Sequence, residues 1–165
     1  MPGVRLAIIG DTHMPRGTRA LPPSCVERLR AADAILHTGD LVALEVLALL
    51  ESLGPPVHAV HGNVDDVEVA RRLPAVRVVE AAGARIVMTH DGGPADRRLA
   101  RLRARFRDAD AVVFGHSHIP LHETAADGFQ IFNPGSPTER RRAPAHTMGI
   151  ATAADGRIAF ELIEV

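Results

Sequence analysis

The chain has 165 residues, of which 46% are hydrophobic and 24% charged, and its formal net charge at pH 7 is −1. This composition is not that of a disordered chain, and the charge gives no global field that attracts nucleic acid or an anionic membrane. The single Cys25 excludes an intramolecular disulfide, and no apolar run reaches about 18 residues or resembles a leader, so we expect one cytoplasmic domain spanning 1–165.

The first half of the chain alternates short β-rich runs with helical patterns. Strands are predicted in VRLAIIG, DAILHTGD and PVHAVHGN. Between them, PPSCVERLRAA has Ser24 and Glu27 at the spacing of a capping box, and LVALEVLALLESLG ends at Gly54, so each predicts a helix. Alternating strands and helices favour a parallel sheet with helices on its faces, as in doubly wound folds.

The second half favours antiparallel pairing. VRVVEAAGARIVMTH predicts a hairpin that turns at Ala-Ala-Gly, and LHETAADGFQIFN and HTMGIATAADGRIAFELIEV each carry Asp-Gly between strand-like runs. ADRRLARLRARFRDA places Ala95, Leu99, Leu102 and Phe106 on one helical face with arginines elsewhere. This run therefore predicts an amphipathic helix with a solvated face and not a nucleic-acid patch.

Carboxylate, amide and imidazole side chains come directly after five of the predicted strands. They are Asp11 and His13 in GDTH, Asp40 in TGD, Asn63 in HGNVD, His90 in MTHD, and His116 and His118 in FGHSH. Because open α/β sheets bind ligands beyond the carboxyl ends of their strands, we expect these seven side chains to share one crevice. Residues two apart in an extended backbone share a face, which predicts that the two histidines of FGHSH point the same way.

The mixture of imidazoles and carboxylates indicates a divalent metal site. Such ligands suit Mn, Fe, Zn, Co or Ni, and the absence of a cysteine cluster argues against structural zinc. Seven ligands exceed the needs of one tetrahedral ion. With Asp40 as a bridge they divide into two centres, an arrangement that clamps the attacking and leaving oxygens of an in-line displacement at phosphorus.

The order D-x-H, G-D, G-N-x-D, H and G-H-x-H, followed by NPGSPTERR, resembles the calcineurin-like metallophosphoesterase superfamily, in particular its short bacterial and archaeal phosphodiesterases. The resemblance implies an α/β fold, a four-layer α/β/β/α sandwich of two mixed sheets flanked by helices. It also implies one metal on Asp11, His13, Asp40 and His118, and a second metal on Asp40, Asn63, His90 and His116.

The activity implied by the resemblance is metal-dependent hydrolysis of phosphoesters, with small phosphodiesters as the favoured substrates. A hydroxide bridging the two ions would attack phosphorus in line, with Asp40, Asn63 and His90 in the catalytic centre. Manganese is the expected metal, with Fe, Zn, Ni or Co as alternatives. No membrane partner is expected, nucleic acid is indicated only as a substrate, and a homo-oligomer is left open.

Two positions depart from the family pattern. Val64 stands where many relatives carry a histidine that helps to protonate the leaving group, and Asp91 and Gly92 stand where several relatives have Gly-His. Asp65 and Asp91 are therefore candidates for the missing acid. Asp65 has two further interpretations, a cap for the following helix or a partner that orients a ligand histidine.

Two other groups of residues have weaker functional interpretations. Arg140, Arg141 or Arg142 would bind substrate phosphate through a bidentate fork, or would lie in a mobile charged loop. The remaining histidines lack a partner spacing and are interpreted mostly as structural; they are His37, His58, His61, His122 and His146.

Two other functions fit the same residues. A eukaryotic retromer subunit resembles this fold and has lost catalytic competence, so an interaction scaffold is one alternative. The complete ligand set argues against a scaffold, whereas the missing proton donors favour it. A phosphomonoesterase or nuclease with the same metals is the other alternative.

Overall fold

The computed structural model describes residues 3–14 and 16–165; residues 1, 2 and 15 of the predicted domain lie outside this description. The strands are β1 (Val4–Ile9), β2 (Ala34–His37), β3 (Val57–Ala59), β4 (Val76–Ala81), β5 (Ala84–Thr89), β6 (Ala111–Val113), β7 (Leu121–Thr124), β8 (Gln130–Asn133), β9 (Thr147–Ala154) and β10 (Arg157–Glu164). The helices are α1 (Pro23–Arg30), α2 (Leu44–Glu51), α3 (Val67–Arg72) and α4 (Arg98–Arg105).

The strands form two five-stranded mixed sheets. The first has the order β10-β9-β1-β2-β3, and the second has the order β4-β5-β6-β8-β7. Parallel pairs join β1 to β2 and β2 to β3 in the first sheet, and β5 to β6 and β6 to β8 in the second. The three predicted hairpins are confirmed, and they supply the antiparallel pairs β4–β5, β7–β8 and β9–β10.

The alternation of side chains along the strands builds the layers. In β1, Leu6 and Ile8 face the core between the two sheets, whereas Ala7 and Ile9 pack against α1, α2 and α3 on the outer face of the first sheet. On the outer face of the second sheet, Leu102 of α4 is buried against β5, β6 and β8. The predicted four-layer α/β/β/α sandwich is therefore confirmed.

The doubly wound arrangement predicted for the first half is wrong. Successive parallel strands are neighbours in the order β1-β2-β3, so both crossovers run in the same direction and place their helices on one face. The core residues of α1 and α2 belong to a single cluster on that face. The second sheet covers the other face, which a local pattern of strands and helices does not reveal.

Two helix boundaries also differ from their predictions. The helix α1 begins at Pro23, so Ser24 lies inside its first turn and makes no capping hydrogen bond. Proline at the first helical position sets the backbone angle that a helix needs, and it starts the helix one residue before the predicted cap. In α4, Leu99, Leu102 and Phe106 pack on the second sheet as predicted, but Ala95 precedes the helix and is exposed.

Among the described residues, none of the helices has the length and hydrophobicity needed to cross a bilayer.

Candidate metal centre

The loops that follow β1, β2, β5 and β6 bring their polar side chains together at one end of the sandwich. Two groups form, in each of which the ligand atoms lie within 4.8 Å of one another. Cluster A consists of Asp11, His13 and His118, and cluster B consists of Asp40, His90 and His116. Each cluster draws on both sheets, because its residues follow strands of the first sheet and strands of the second.

Cluster A is a set of buried polar atoms that lack partners. The atoms Asp11 Oδ1, His13 Nε2 and His118 Nε2 are buried and have no hydrogen-bond partner among the described residues. His118 Nε2 lies 3.6 Å from Asp11 Oδ1, and His13 Nε2 lies 3.4 Å from Asp40 Oδ2. An unsatisfied buried polar atom costs about 1–3 kcal/mol, so three that face one another fit a site for a cation.

Cluster B is more open. Asp40 Oδ2 lies 3.2 Å from His90 Nε2, while Asn63 Oδ1 lies 3.0 Å from His90 Nε2 and 3.1 Å from His116 Nδ1. His116 is the least buried residue of the two clusters. Because Asp40 Oδ2 lies 3.4 Å from His13 Nε2 as well, Asp40 stands between the clusters, in a position suited to a bridge.

Three of the histidines are held by the ring nitrogen that faces away from the clusters. His90 Nδ1 donates to the carbonyl oxygen of Thr38 at 2.8 Å, and His118 Nδ1 donates to the carbonyl oxygen of Glu139. His13 Nδ1 lies 3.1 Å from Glu139 Oε2. A carbonyl oxygen can only accept, so Nδ1 of His90 and Nδ1 of His118 each carry a hydrogen, and in all three histidines Nε2 is the ring nitrogen that faces the clusters.

The electrostatics of the clusters also favour a cation. Burial raises the pKa of Asp11 to about 7, against the opposing charge of His90. Burial acts in the same direction on Asp40, but the imidazoles of His13 and His90 beside it outweigh burial and lower the pKa of that carboxyl. Burial lowers the pKa of His118 to about 4, so that ring is a neutral donor of a lone pair. Asp11 is thus a buried carboxylate that a cation would stabilise in its charged form.

Five of these residues adopt a left-handed backbone. The φ angles are 52° at Asp11, 47° at His13, 61° at Asp40, 75° at His116 and 61° at His118. The extended backbone predicted for FGHSH is therefore wrong, because β6 ends at Val113 and both histidines lie in the loop beyond it. The loop sends His116 to cluster B and His118 to cluster A.

Two glycines let the backbone approach the carboxylates. A Cβ atom on Gly62 would lie 2.1 Å from Asp40 Oδ1, and one on Gly115 would lie 2.7 Å from Asp11 Oδ2. Both distances are far below a van der Waals contact. A side chain at either position would therefore displace a carboxylate of the centre.

His37 is one of the supporting residues of the centre. It is fully buried, its Nδ1 accepts from the backbone N–H of Gly39 at 3.1 Å, and its Nε2 lies 3.0 Å from the hydroxyl of Thr12. Burial lowers the pKa of His37 to about 3, so the ring is neutral and Nε2 carries the hydrogen. His37 thereby ties the loop after β1 to the loop after β2.

Asp65 has neither of the two local roles predicted for it. Its carboxylate accepts from the backbone N–H groups of Gly62 at 2.6 Å, Val42 at 2.7 Å and Asp40 at 3.0 Å. The next residue, Asp66, caps α3 instead. The cap and the histidine partner are therefore wrong as interpretations of Asp65, which holds the backbone of the loop that carries Asp40.

The remaining candidates lie around the rim. Asp91 is exposed, and its Oδ1 accepts from the backbone N–H of Gly93 at 2.8 Å. The half-buried Val64 donates its backbone N–H to Asp40 Oδ1 at 3.0 Å.

The three consecutive arginines have different surroundings. Arg140 Nη1 donates to the carbonyl oxygen of Ala143 at 2.8 Å, within its own turn. Arg141 Nη1 lies 3.4 Å from the carbonyl oxygen of His116, so its guanidinium contacts the backbone of the loop that carries His116 and His118. Arg142 is exposed. Of the three, Arg141 is the one that the structure brings to the centre.

Sequence reasoning missed the contribution of the segment 136–139. Ser136 Oγ donates to the carbonyl oxygen of Asp11 at 2.8 Å, and Thr138 Oγ1 donates to that of Thr12 at 2.7 Å. Glu139 contacts both histidines of cluster A. The only local signal is a pair of hydroxyl residues after an Asn-Pro-Gly turn, which says nothing about a contact more than 120 residues away.

Known proteins resemble this chain over most of its length. A family model for the calcineurin-like phosphoesterase superfamily domain matches residues 4–156. A probable metallophosphoesterase of Methanothermobacter thermautotrophicus is 32% identical over 138 residues, which are 82% of this chain and 78% of that protein.

Solved structures share the fold from end to end. A single mutant of Vps29 from Entamoeba histolytica is 26% identical, with a TM-score of 0.76 over 98% of this chain and 99% of that one. A structure described as a novel archaeal phosphodiesterase is 21% identical, with a TM-score of 0.73 over 97% of this chain and 100% of that one, and it shows the same fold.

Proposed function

Because the chain belongs to the calcineurin-like phosphoesterase superfamily, whose model matches residues 4–156, we propose that it is a metal-dependent hydrolase of phosphoesters that prefers phosphodiesters. The observation that supports this proposal most directly is the pair of ligand clusters that meet at Asp40. Buried polar groups that serve only the fold are normally paired, whereas three facing atoms of cluster A have no hydrogen-bond partner in the described parts of the chain, 3–14 and 16–165.

The residues present fit two divalent cations, and manganese suits a donor set of nitrogen and oxygen atoms. We assign one ion to Asp11, His13, Asp40 and His118, and the other to Asp40, Asn63, His90 and His116. When bound, such ions neutralise the charge on a phosphate and lower the pKa of water at the site. The protein holds the ligand rings in place through Thr38 and Glu139, so little reorganisation is needed on binding.

The groups around the clusters define how a phosphodiester would be handled. We propose that Arg141, beside His116, contacts a phosphate oxygen. Val64 has no proton to donate to a leaving group. Both oxygens of Asp65 already accept backbone hydrogens, so the exposed Asp91 is the better placed of the two candidate acids. Without a positioned donor, the enzyme should favour esters with acidic leaving groups.

The test combines metal analysis with substrate profiling. Protein saturated with manganese is dialysed, its metal content is measured, and hydrolysis is followed for bis(4-nitrophenyl) phosphate, 4-nitrophenyl phosphate and a cyclic nucleotide. We expect two ions per chain and faster turnover of diesters than of the monoester. D40A should lose the bridge and nearly all activity, while E123A on the exposed face of β7 serves as the matched control.

Each result of this test has a defined meaning. At most one ion per wild-type chain would contradict the binuclear site. Faster hydrolysis of the monoester than of the diesters would contradict a phosphodiesterase and indicate a phosphomonoesterase. Two ions with no turnover of any ester would favour the second candidate function, an interaction scaffold. That candidate is supported by the likeness to Vps29 over 98% of the chain and by the valine at position 64.

A further inference from the structure

We infer that Glu139 is a positioning residue for cluster A, because its carboxylate and its carbonyl oxygen fix the two imidazoles of the same cluster. This inference rests on the proposed binding of a metal ion there. It concerns a residue outside the ligand set, and it predicts that one of the two ions depends on Glu139 while the other does not.

The side chain of Glu139 orients His13. Glu139 Oε2 lies 3.1 Å from His13 Nδ1, and among the described residues this buried oxygen forms no hydrogen bond, so the contact with His13 is its one short polar contact. The side chain of His13 is itself only 4% exposed, so water does not readily replace the carboxylate. A carboxylate this close to Nδ1 favours the tautomer with the hydrogen on Nδ1, which would leave the lone pair of Nε2 facing Asp11 and His118.

The main chain of Glu139 orients His118. Its carbonyl oxygen accepts from His118 Nδ1, and this contact does not depend on the identity of the side chain at position 139. Substitution of Glu139 therefore removes the support of one histidine and leaves the support of the other. His118 therefore serves as an internal control for the effect of the substitution on His13.

The position of Glu139 is itself fixed. Its backbone N–H donates to Ser136 Oγ at 2.8 Å, and the same hydroxyl donates to the carbonyl oxygen of Asp11. Its second carboxylate oxygen, Oε1, lies 3.0 Å from Arg19 Nη2. Oε2 therefore contacts His13, and Oε1 contacts the guanidinium of Arg19, which holds the carboxylate in this orientation.

Within the part of the chain that the structure describes, no hydrogen bond or ion pair joins Glu139 to Asp40, His90 or His116. The buried histidine of cluster B, His90, is anchored by the carbonyl oxygen of Thr38, which comes directly after β2 of the first sheet. An effect of Glu139 that was merely structural would weaken both clusters together. An effect that acts through His13 would weaken the ion of cluster A.

The experiment compares E139A, E139Q and the exposed control E123A with wild type. Manganese binding is measured by isothermal titration calorimetry, with metal content checked after dialysis. Loss of a partner that orients a metal-bound histidine typically costs ~10–100-fold in affinity, so E139A should lose that much at one site and nothing at the other. E139Q, whose amide oxygen can still accept from Nδ1, should stay close to wild type, as should E123A.

A second readout uses the metal-free protein and does not depend on activity. Long-range ¹H–¹⁵N NMR spectra of the histidine rings report which nitrogen carries the hydrogen. His13 should carry it on Nδ1 in wild type and E139Q but not in E139A, whereas His118 should carry it on Nδ1 in all three. The wild-type spectrum alone can contradict the inference. The test therefore remains decisive even if a variant does not fold.

The outcomes separate this inference from the proposed function. A wild type that binds no manganese overturns both. A wild type that binds two ions overturns the inference alone if E139A binds both with unchanged affinity, if E139A and E139Q weaken equally, or if His13 carries its hydrogen on Nε2.

Discussion

Val64 is the residue whose chemistry limits the site most directly. Its backbone N–H donates to Asp40 Oδ1, so this half-buried residue lies beside the carboxylate that we propose as the bridge. A positioned general acid contributes ~10²–10⁴-fold for a leaving group that must be protonated and little for a nitrophenolate. We therefore expect V64H to raise turnover of an alkyl phosphodiester ~10-fold or more while turnover of a nitrophenyl diester changes little.

The matched control for V64H is V67H. Val67 is the first residue of α3 and is 58% exposed, so a histidine there adds the same ring farther along the same segment. Rates are measured for both diesters under saturating manganese. Equal changes for the two leaving groups in V64H would show that position 64 is not where the acid is missing, and Asp91 would become the next residue to test.

His37 makes a prediction about stability and pH. Its pKa is about 3 in the folded protein against 6.5 as a reference value, because burial disfavours the charged ring. A base whose pKa falls on folding contributes stability that is complete above pH 6.5 and is lost as the pH falls through that window toward 3. From pH 7 to pH 5 the loss should be about 2 kcal/mol.

The measurement is urea unfolding in EDTA at pH 7 and at pH 5 for wild type and H37Q. Glutamine does not titrate, so the advantage of wild type over H37Q should shrink as the pH falls. The other titratable groups are present in both proteins, and the same exchange at the exposed His122 is the control. A difference that stays constant between the two pH values would show that His37 does not charge on unfolding.

At the scale of elements, two hairpins use the same turn with different residues. The turn of β4–β5 has Ala82 and Gly83 at φ angles of 48° and 81°, and the turn of β9–β10 has Asp155 and Gly156 at 50° and 74°. Positive φ at both central residues defines a type I′ turn, which favours Asn-Gly and Asp-Gly. Ala82 is therefore a strained residue in an otherwise suitable turn.

We expect A82N to increase the free energy of unfolding by about 0.5–1 kcal/mol, because asparagine tolerates the left-handed backbone better than alanine. Ala82 is exposed, so the new side chain meets solvent. The control is A159N, the same exchange at an exposed position within β10, where asparagine disfavours the strand. The free energy of unfolding of both variants is measured by urea unfolding and compared with that of wild type. A lower value for A82N than for wild type would contradict the turn assignment.

Elements were predictable where their signals are local. Asp-Gly and Ala-Ala-Gly between β-rich runs predict hairpins. The carboxylates and histidines that follow the strands predict a metal site. The one-sided placement of α1 and α2 was not predictable, because it depends on a second sheet formed by residues far along the chain. The contacts that Asp65 and Glu139 make were not predictable for the same reason, because their partners are distant in sequence. Asp65 contacts the backbone of Asp40, 25 residues earlier, and Glu139 contacts His13.

At the scale of the whole molecule, the two clusters lie across the junction of the two sheets. In cluster A, His13 follows β1 of the first sheet and His118 follows β6 of the second. In cluster B, Asp40 follows β2 and His90 follows β5. An ion in either cluster would therefore hold the sheets to each other, and its binding energy would add to the stability of the sandwich.

Manganese should accordingly raise the midpoint of thermal unfolding. At 100 times the dissociation constant, each of the two sites adds about 2.7 kcal/mol, so that both together raise the midpoint by about 10–20 °C for a chain of this size. H118A should lose about half of this increase and D40A nearly all of it, whereas H146A, a histidine outside both clusters, should keep it. A midpoint that does not respond to manganese in wild type, or that responds equally in D40A, would contradict the cross-sheet sites.

The left-handed backbone of five residues that we propose as metal ligands has a consequence for how this protein would evolve. Each such residue costs of the order of 1–2 kcal/mol relative to glycine, and the metal-free protein bears that cost with no ion to offset it. Directed evolution for heat resistance in a chelating medium should therefore enrich glycine at positions 11, 13, 40, 116 and 118. Stability without metal favours glycine at these positions, whereas metal binding requires the present side chains. A variant selected in this way would therefore keep the sandwich fold and lose the ability to bind metal.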